Sequence, residues 1–274
     1  MGMNREENRL TIDECKEIQL SIMEYIDKVC EENGLRYYLC GGTLIGAVRH
    51  RGYIPWDDDI DIMLPRKDYQ KLIELLKDNK KYRCLSMYTK EDYFYPFAKV
   101  VDTDTSMIEH NADLQIEGYG VYVDLFPVDG LPTDPAKNHR YYQKVMRLRN
   151  LYYLAISDHP WKPKNPLKRL ALYSAFLYAK ARGWKPLLKK LDRLSCRYDF
   201  ESSEIVGVPC AGYGERETYH KALYDKTLRV PFEEYQFNIP AGYDEYLRCL
   251  YGDYMQIPPK EKQVTRHDFS AYRK

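Results

Sequence analysis

Residues 57–61 read Asp-Asp-Asp-Ile-Asp and run on into Ile62, Met63 and Leu64. Side chains alternate in a strand, so Ile60, Ile62 and Leu64 share one face while Asp59 and Asp61 share the other. Carboxylates two residues apart on one face stand about 7 Å from each other. They repel unless a cation lies between them. A hard, oxygen-preferring ion suits such a pair, which means Mg2+ or Mn2+. A solvated acidic turn after Pro55 and Trp56 is the competing reading, and the segment upstream separates the two. Tyr37–Cys40 reads as a short buried strand. Gly41 and Gly42 break it, and Thr43 is placed to cap a short helix, Leu44–Arg49. A glycine pair between strand and helix lets backbone N–H groups come close to a phosphate.

A third carboxylate stands out downstream. Between Gly120 and Gly130, Tyr122 and Asp124 share one strand face, and Val121, Val123 and Leu125 share the other. A carboxylate inside an apolar strand is costly without a cation, although a capping role or a lysine partner would also satisfy it. Asp102, Asp104 and Asp129 lie in turn-like contexts and read as structural. Lys99 sits in Phe-Ala-Lys-Val-Val, where a lysine among apolar neighbours implies an anion nearby. Arg49 is a second candidate cation.

The stretch GGTLIGAVRHRGYIPWDDDIDIMLPRKDY, residues 41–69, carries a resemblance. Gly-Gly followed at a loop's distance by Asp-hydrophobic-Asp is the signature of the polymerase-β-like nucleotidyltransferase fold. The longer match closely resembles the core motif of the LicD family, which moves phosphocholine or a similar phospho-alcohol from a cytidine nucleotide onto a glycan. Fukutin-type ribitol-phosphate transferases share that core. The resemblance implies an α+β fold: a mixed sheet flanked by helices, with a mainly helical C-terminal part. It also implies a CDP-alcohol donor, a glycan or lipid-linked glycan acceptor whose hydroxyl attacks phosphorus, and CMP as the leaving group. Asp59, Asp61 and Asp124 then form the metal-binding and catalytic triad, and Gly41, Gly42, Thr43, Arg49 and Lys99 hold phosphate oxygens. Trp56 is assigned to the cytosine, to a choline head group or to the core. Tyr53, Tyr119 and Tyr122 are further aromatic candidates for a quaternary ammonium. A nucleotidyltransferase releasing pyrophosphate, or a non-catalytic nucleotide- or glycan-binding relative, remains the alternative.

Several elements must position these residues. Thr11-Ile-Asp-Glu14 is a capping box for a helix ending at Asn33-Gly34. A second helix spans 66–78 and a strand spans Tyr82–Met87. Strands at Pro96–Asp102 and Ser106–His110 are expected to pair as a hairpin. Helices at 135–158 and 166–199 follow, then extended pieces at Val208–Gly214 and Arg229–Phe237 and a helix at Tyr243–Leu250. The polar tail from Lys260 is expected to be partly loose. A soft boundary near 131 divides a catalytic core, 1–131, from a basic helical region and C-terminal segment packed on it, 132–274.

Length, 274 residues, is ample for a buried core. No run of about 18 apolar residues occurs, and MGMNREENRL has no apolar core of a signal peptide. The seven cysteines form no CxxC pair, which predicts reduced thiols in a cytoplasmic protein and no zinc site. Charge is segregated. Residues 135–191 hold fourteen Lys or Arg and one acid, Asp158, a net of +13 in a chain of net +1. Leu167–Trp184 within that span reads as a basic-flanked helix carrying Leu170, Leu172, Phe176, Leu177 and Trp184. It suggests peripheral contact with an anionic membrane at its inner face. No recognised nucleic-acid module accompanies the charge, so no nucleic acid is expected as a partner.

Overall fold

Thr11 accepts the amide of Glu14, and Glu14 accepts the amide of Thr11. This capping box opens α1 (Ile12–Asn33), and Gly34 closes it in the left-handed region at φ 62°. A computed structural model describes residues 8–110, 113–265 and 268–274. After α1 come β1 (Tyr38–Leu39), α2 (Gly41–Ile45) and a π-helical turn (Gly46–His50). β2 (Asp61–Pro65) and α3 (Arg66–Leu76) follow, then β3 (Tyr82–Leu85), β4 (Ala98–Asp102), β5 (Thr105–Glu109) and β6 (Tyr122–Leu131).

The central sheet has the order β1-β2-β6-β4-β3. β2 and β6 run parallel, while β1, β4 and β3 pair antiparallel to their neighbours. The fold is α+β with a mixed sheet, in keeping with a nucleotidyltransferase-like core. Ile60, Ile62, Leu64, Val100, Val123 and Leu125 are all 0% exposed and form one core with the apolar face of α1. Both faces of the central strands are covered, so Met63 is buried as well.

The later chain threads back onto this sheet. α4 (Pro135–Ile156), α5 (Pro166–Arg182) and α6 (Trp184–Ser195) form a helical layer with its own apolar cluster. The helix expected over 166–199 is broken at Gly183, whose φ of 74° interrupts the helical ladder. β7 (Ile205–Gly207) extends the sheet from the C-terminal end of β6, and β8 (Thr218–His220) pairs with it. Residues 208–214 are not a strand. β9 (Thr227–Phe232) and β10 (Tyr235–Pro240) form a hairpin, and α7 (Tyr243–Tyr251) is the helix expected there. The end of the tail is ordered: β11 (Phe269–Arg273) pairs with β5. That pairing corrects the expected hairpin, because β4 pairs with β6 and β3 while β5 pairs with the distant C-terminus.

Asp102 and Asp104 both bind Lys81, at 3.1 and 2.6 Å. Asp129 lies within β6, not in a turn. It is fully buried and takes Arg66 in a two-point pair at 2.7 and 2.5 Å. Arg66 also reaches Asp192 of α6 at 3.0 Å, so one guanidinium ties α3, the sheet and the helical layer together.

Candidate active site

The parallel register sets Asp61 opposite Asp124, and the antiparallel register sets Lys99 opposite Asp124 on its other side. One row across β2, β6 and β4 therefore reads Asp61, Asp124, Lys99. The Lys99 ammonium bonds Asp124 Oδ1 at 2.7 Å, and both residues are buried. β2 begins at Asp61, so Asp59 lies just before the strand and not within it. The pairing nonetheless starts one residue earlier, since the Asp124 amide donates to the Ile60 carbonyl at 2.9 Å. Burial, then the charges of Asp59 and Asp124, push the Asp61 carboxyl well above its ordinary range, and Lys99 only partly opposes them. Crowded carboxylates of this kind are the donor set that suits a hard divalent ion.

The glycine pair faces these acids. Gly41 has φ 56°, and a Cβ there would stand 3.3 Å from Asp61 Oδ2. A Cβ on Gly42 would stand 2.6 Å from Asp57 Oδ2, so the Asp57 carboxylate would have to move aside for any side chain there. Thr43 does not cap α2, whose first residue is Gly41 and whose N-cap is Cys40. Its buried hydroxyl instead accepts the Asp61 amide at 2.9 Å and fixes the start of β2.

Arg49 turns away toward the C-terminal segment, bonding the carbonyls of Tyr254 and Gln256. Trp56 is half-buried with its ring edge-on to His50, and it lines a groove with Ile12, Lys16 and Asp58. Tyr53 packs in the core and bonds Gln19. Gln19 also donates to the Asp58 carbonyl at 2.9 Å, so α1 anchors the acidic run. Sequence reasoning passed over Asp57 and Asp58, although both stand in the same run. The carboxylate oxygens of Asp57, Asp58 and Asp59 lie within 4.8 Å of one another, a second grouping able to hold an ion. Asp58 accepts the Thr265 hydroxyl at 2.6 Å.

Two clefts flank the Asp61–Asp124 pair. One of about 250 Å³ lies on the Asp61 side, lined by Gly41, Gly42, Phe126, Glu217, Tyr246 and Tyr251. Burial raises the Glu217 carboxyl there to about 7, although the Tyr213 amide at 2.7 Å and Arg149 work against the rise. The other, of about 380 Å³, lies on the Asp124 side, lined by Tyr95, Phe97, Lys99, Glu109 and Tyr122 among others. No local pattern in the sequence marked Glu217, Glu109 or Tyr95, because each reaches its cleft through a long-range pairing.

Residues 34–159 match the family described as LicD/FKTN/FKRP, nucleotidyltransferase domain. The lipopolysaccharide cholinephosphotransferase LicD of Haemophilus influenzae is 30% identical over 272 residues, 96% of this chain and 98% of that protein. The chain belongs to the LicD family. Ribitol 5-phosphate transferase FKRP of mouse and of human is 40% identical over 62 residues, 23% of this chain and 13% and 12% of those proteins. These relatives are transferases, and this LicD-family chain is a LicD-like phosphotransferase. The site acids, glycines and basic residues from Gly41 to Asp124 lie inside the matched family segment. Glu217, Tyr246 and Tyr251 lie beyond it, yet they line the cleft that Gly41 and Gly42 open.

Proposed function

We propose that the protein transfers phosphocholine, or a similar phospho-alcohol, from a CDP-alcohol to a hydroxyl of a cell-surface glycan precursor of lipopolysaccharide, teichoic acid or capsule type, releasing CMP. The observation that carries this reading is the register that sets Asp61 beside Asp124, with Asp59 close enough to perturb Asp61. Asp59, Asp61 and Asp124 would hold Mg2+ or Mn2+, which when bound neutralises pyrophosphate oxygens and aligns an in-line displacement. Gly41 and Gly42 let the backbone approach the phosphates. Asp124 would take the proton of the attacking hydroxyl, with the Lys99 ion pair fixing its orientation. The test is CMP release from a panel of CDP-alcohols, with a lipopolysaccharide acceptor, in the presence of Mg2+ and after its removal. CMP release that needs the metal supports the reading. Pyrophosphate release from a nucleoside triphosphate in its place would favour the nucleotidyltransferase alternative, and neither product would overturn both.

We further place the protein in the cytoplasm, at the inner face of an anionic membrane, through α5. Among the described residues no helix is long and apolar enough to cross a membrane. α5 nevertheless has apolar residues on two faces. Leu172, Ala175 and Phe176 pack inward with buried Ala179. Leu167, Leu170, Tyr173, Leu177 and Tyr178 are each more than half exposed and fall on one arc of the helix. This divides the stripe expected from sequence, in which Leu172, Phe176 and Trp184 were grouped with Leu170 and Leu177. Arg169, Lys180 and Arg182 lie along the two borders between the faces, where their stems cover apolar surface and their charges reach lipid phosphates.

A further inference from the structure

The geometry points to the cleft on the Asp124 side as the compartment for the donor's alcohol, built to take a cationic head group. This rests on the phospho-alcohol reading above and assigns one part of it to named residues. Asp61 and Asp124 lie side by side in the sheet, and each opens onto its own cleft. A pyrophosphate lying across the two carboxylates therefore sends one end of the donor into each. The Asp61 side offers the close-approach backbone at Gly41 and Gly42 and the rings of Tyr246 and Tyr251, which suit phosphate and a nucleobase. The Asp124 side differs in kind. Its walls are the rings of Phe94, Tyr95, Phe97 and Tyr122. Among the described residues that line it, the charged groups are the carboxylates of Glu109, Asp113, Asp124 and Asp268 against the ammonium of Lys99.

Aromatic faces and an excess of carboxylates repel phosphate and attract a cation. The wall already holds one: the Lys99 ammonium lies 3.4 Å from the Tyr122 ring centroid, 4.8 Å from Tyr95 and 5.3 Å from Phe97. Glu109 is fixed in place by the hydroxyls of Tyr95, Tyr119 and Tyr122, which keep its charge directed at this wall. A methylated ammonium matches both parts of the surface, because its methyl groups meet the rings and its charge meets the acids. An uncharged polyol would use the carboxylates and gain no cation–π attraction from the rings.

Isothermal titration of the wild-type protein tests this with choline, with its neutral carbon isostere dimethylbutanol, and with ribitol. Choline should bind at least about tenfold more tightly than either neutral alcohol. Saturating CDP-choline should abolish choline binding, and CMP should leave it in place. Tyr95→Leu and Glu109→Gln should each weaken choline several-fold in protein that melts like wild type. Equal binding of choline and dimethylbutanol would overturn the proposal without any variant. So would choline binding that persists under saturating CDP-choline, which would put the cation on the acceptor. Indifference of choline to both substitutions in folded protein would overturn it too. Choline binding as described without turnover of any CDP-alcohol would sink the transferase reading and leave the cleft assignment standing. CMP release from CDP-choline with choline indifferent to the cleft would do the reverse.

Discussion

Asp61 stands opposite Asp124 in the parallel ladder between β2 and β6. Neighbouring strands lie about 4.8 Å apart, so the ladder holds these two acids side by side, and Asp59 adds its charge from just before the strand. Their mutual repulsion, in a buried place, is the physical demand that a divalent ion would answer.

Replacing Asp61 with Asn should lower turnover at least about a hundredfold, since a metal ligand is lost. The metal-free protein should behave oppositely. A carboxyl whose folded pKa is raised destabilises the fold once pH exceeds that pKa, and the penalty fades as pH falls toward the unfolded value. Asp61→Asn should therefore raise the melting temperature of metal-free protein at pH 8, with the difference closing near pH 4. A lower melting temperature at pH 8 would contradict the crowding. Asp59→Asn should share the activity loss, and a variant keeping a large fraction of wild-type turnover would remove Asp59 from the ligand set.

Lys99→Met should cost about 3 kcal/mol or more, because it leaves Asp124 buried without its ion-pair partner. Asp124→Asn by itself should abolish turnover while weakening metal binding. The double variant Lys99→Met with Asp124→Asn should recover most of the lost stability, and denaturant unfolding of all four proteins reads the coupling. Additive losses would mean that the pair is not what holds Lys99 in the sheet.

Glu217 gives a pH signature. Its folded carboxyl is raised to about 7 from an ordinary 4.5, so the folded state binds the proton more tightly than the unfolded chain. Stability is favoured below the ordinary value and is lost as pH rises through that window, by roughly 3 kcal/mol if the whole shift is realised. Glu217→Gln should flatten the fall in melting temperature between pH 5 and pH 8. An unchanged slope would assign the dependence to other groups.

Sedimentation with vesicles containing anionic lipid checks the surface of α5 and the basic start of α6. Wild-type protein should bind at low ionic strength and release as salt rises. Reversing Lys180, Arg182, Lys185 and Lys189 together should weaken binding, and so should Leu170→Ser with Leu177→Ser. The two sets act through charge and through apolar contact, so retention of binding in both would refute the membrane contact.

Much of this was legible along the chain because it depends on near neighbours. The Thr11–Glu14 capping box, the alternation around Asp124 and the Asp-Ile-Asp run are local patterns, and local sterics and hydrogen bonding decide them. The amino-acid sequence therefore singled out Asp59, Asp61 and Asp124 among the acids, and marked Gly41 and Gly42 as a break between strand and helix. It could not determine register. Only the tertiary structure set Asp61 against Asp124 and Lys99, moved Thr43 from a helix cap to the Asp61 amide, and turned Arg49 away to the carbonyls of Tyr254 and Gln256. The same holds for β5, which takes β11 from the far end of the chain as its partner, and for Glu217, brought beside Gly41 and Gly42 from 175 residues beyond Gly42. Pairing partners and burial come from competition among all the apolar surfaces at once, and no short window of sequence contains that competition. α5 shows the limit most plainly: its composition announced an apolar, basic-flanked helix, and only packing decided which of its leucines face the core and which face outward.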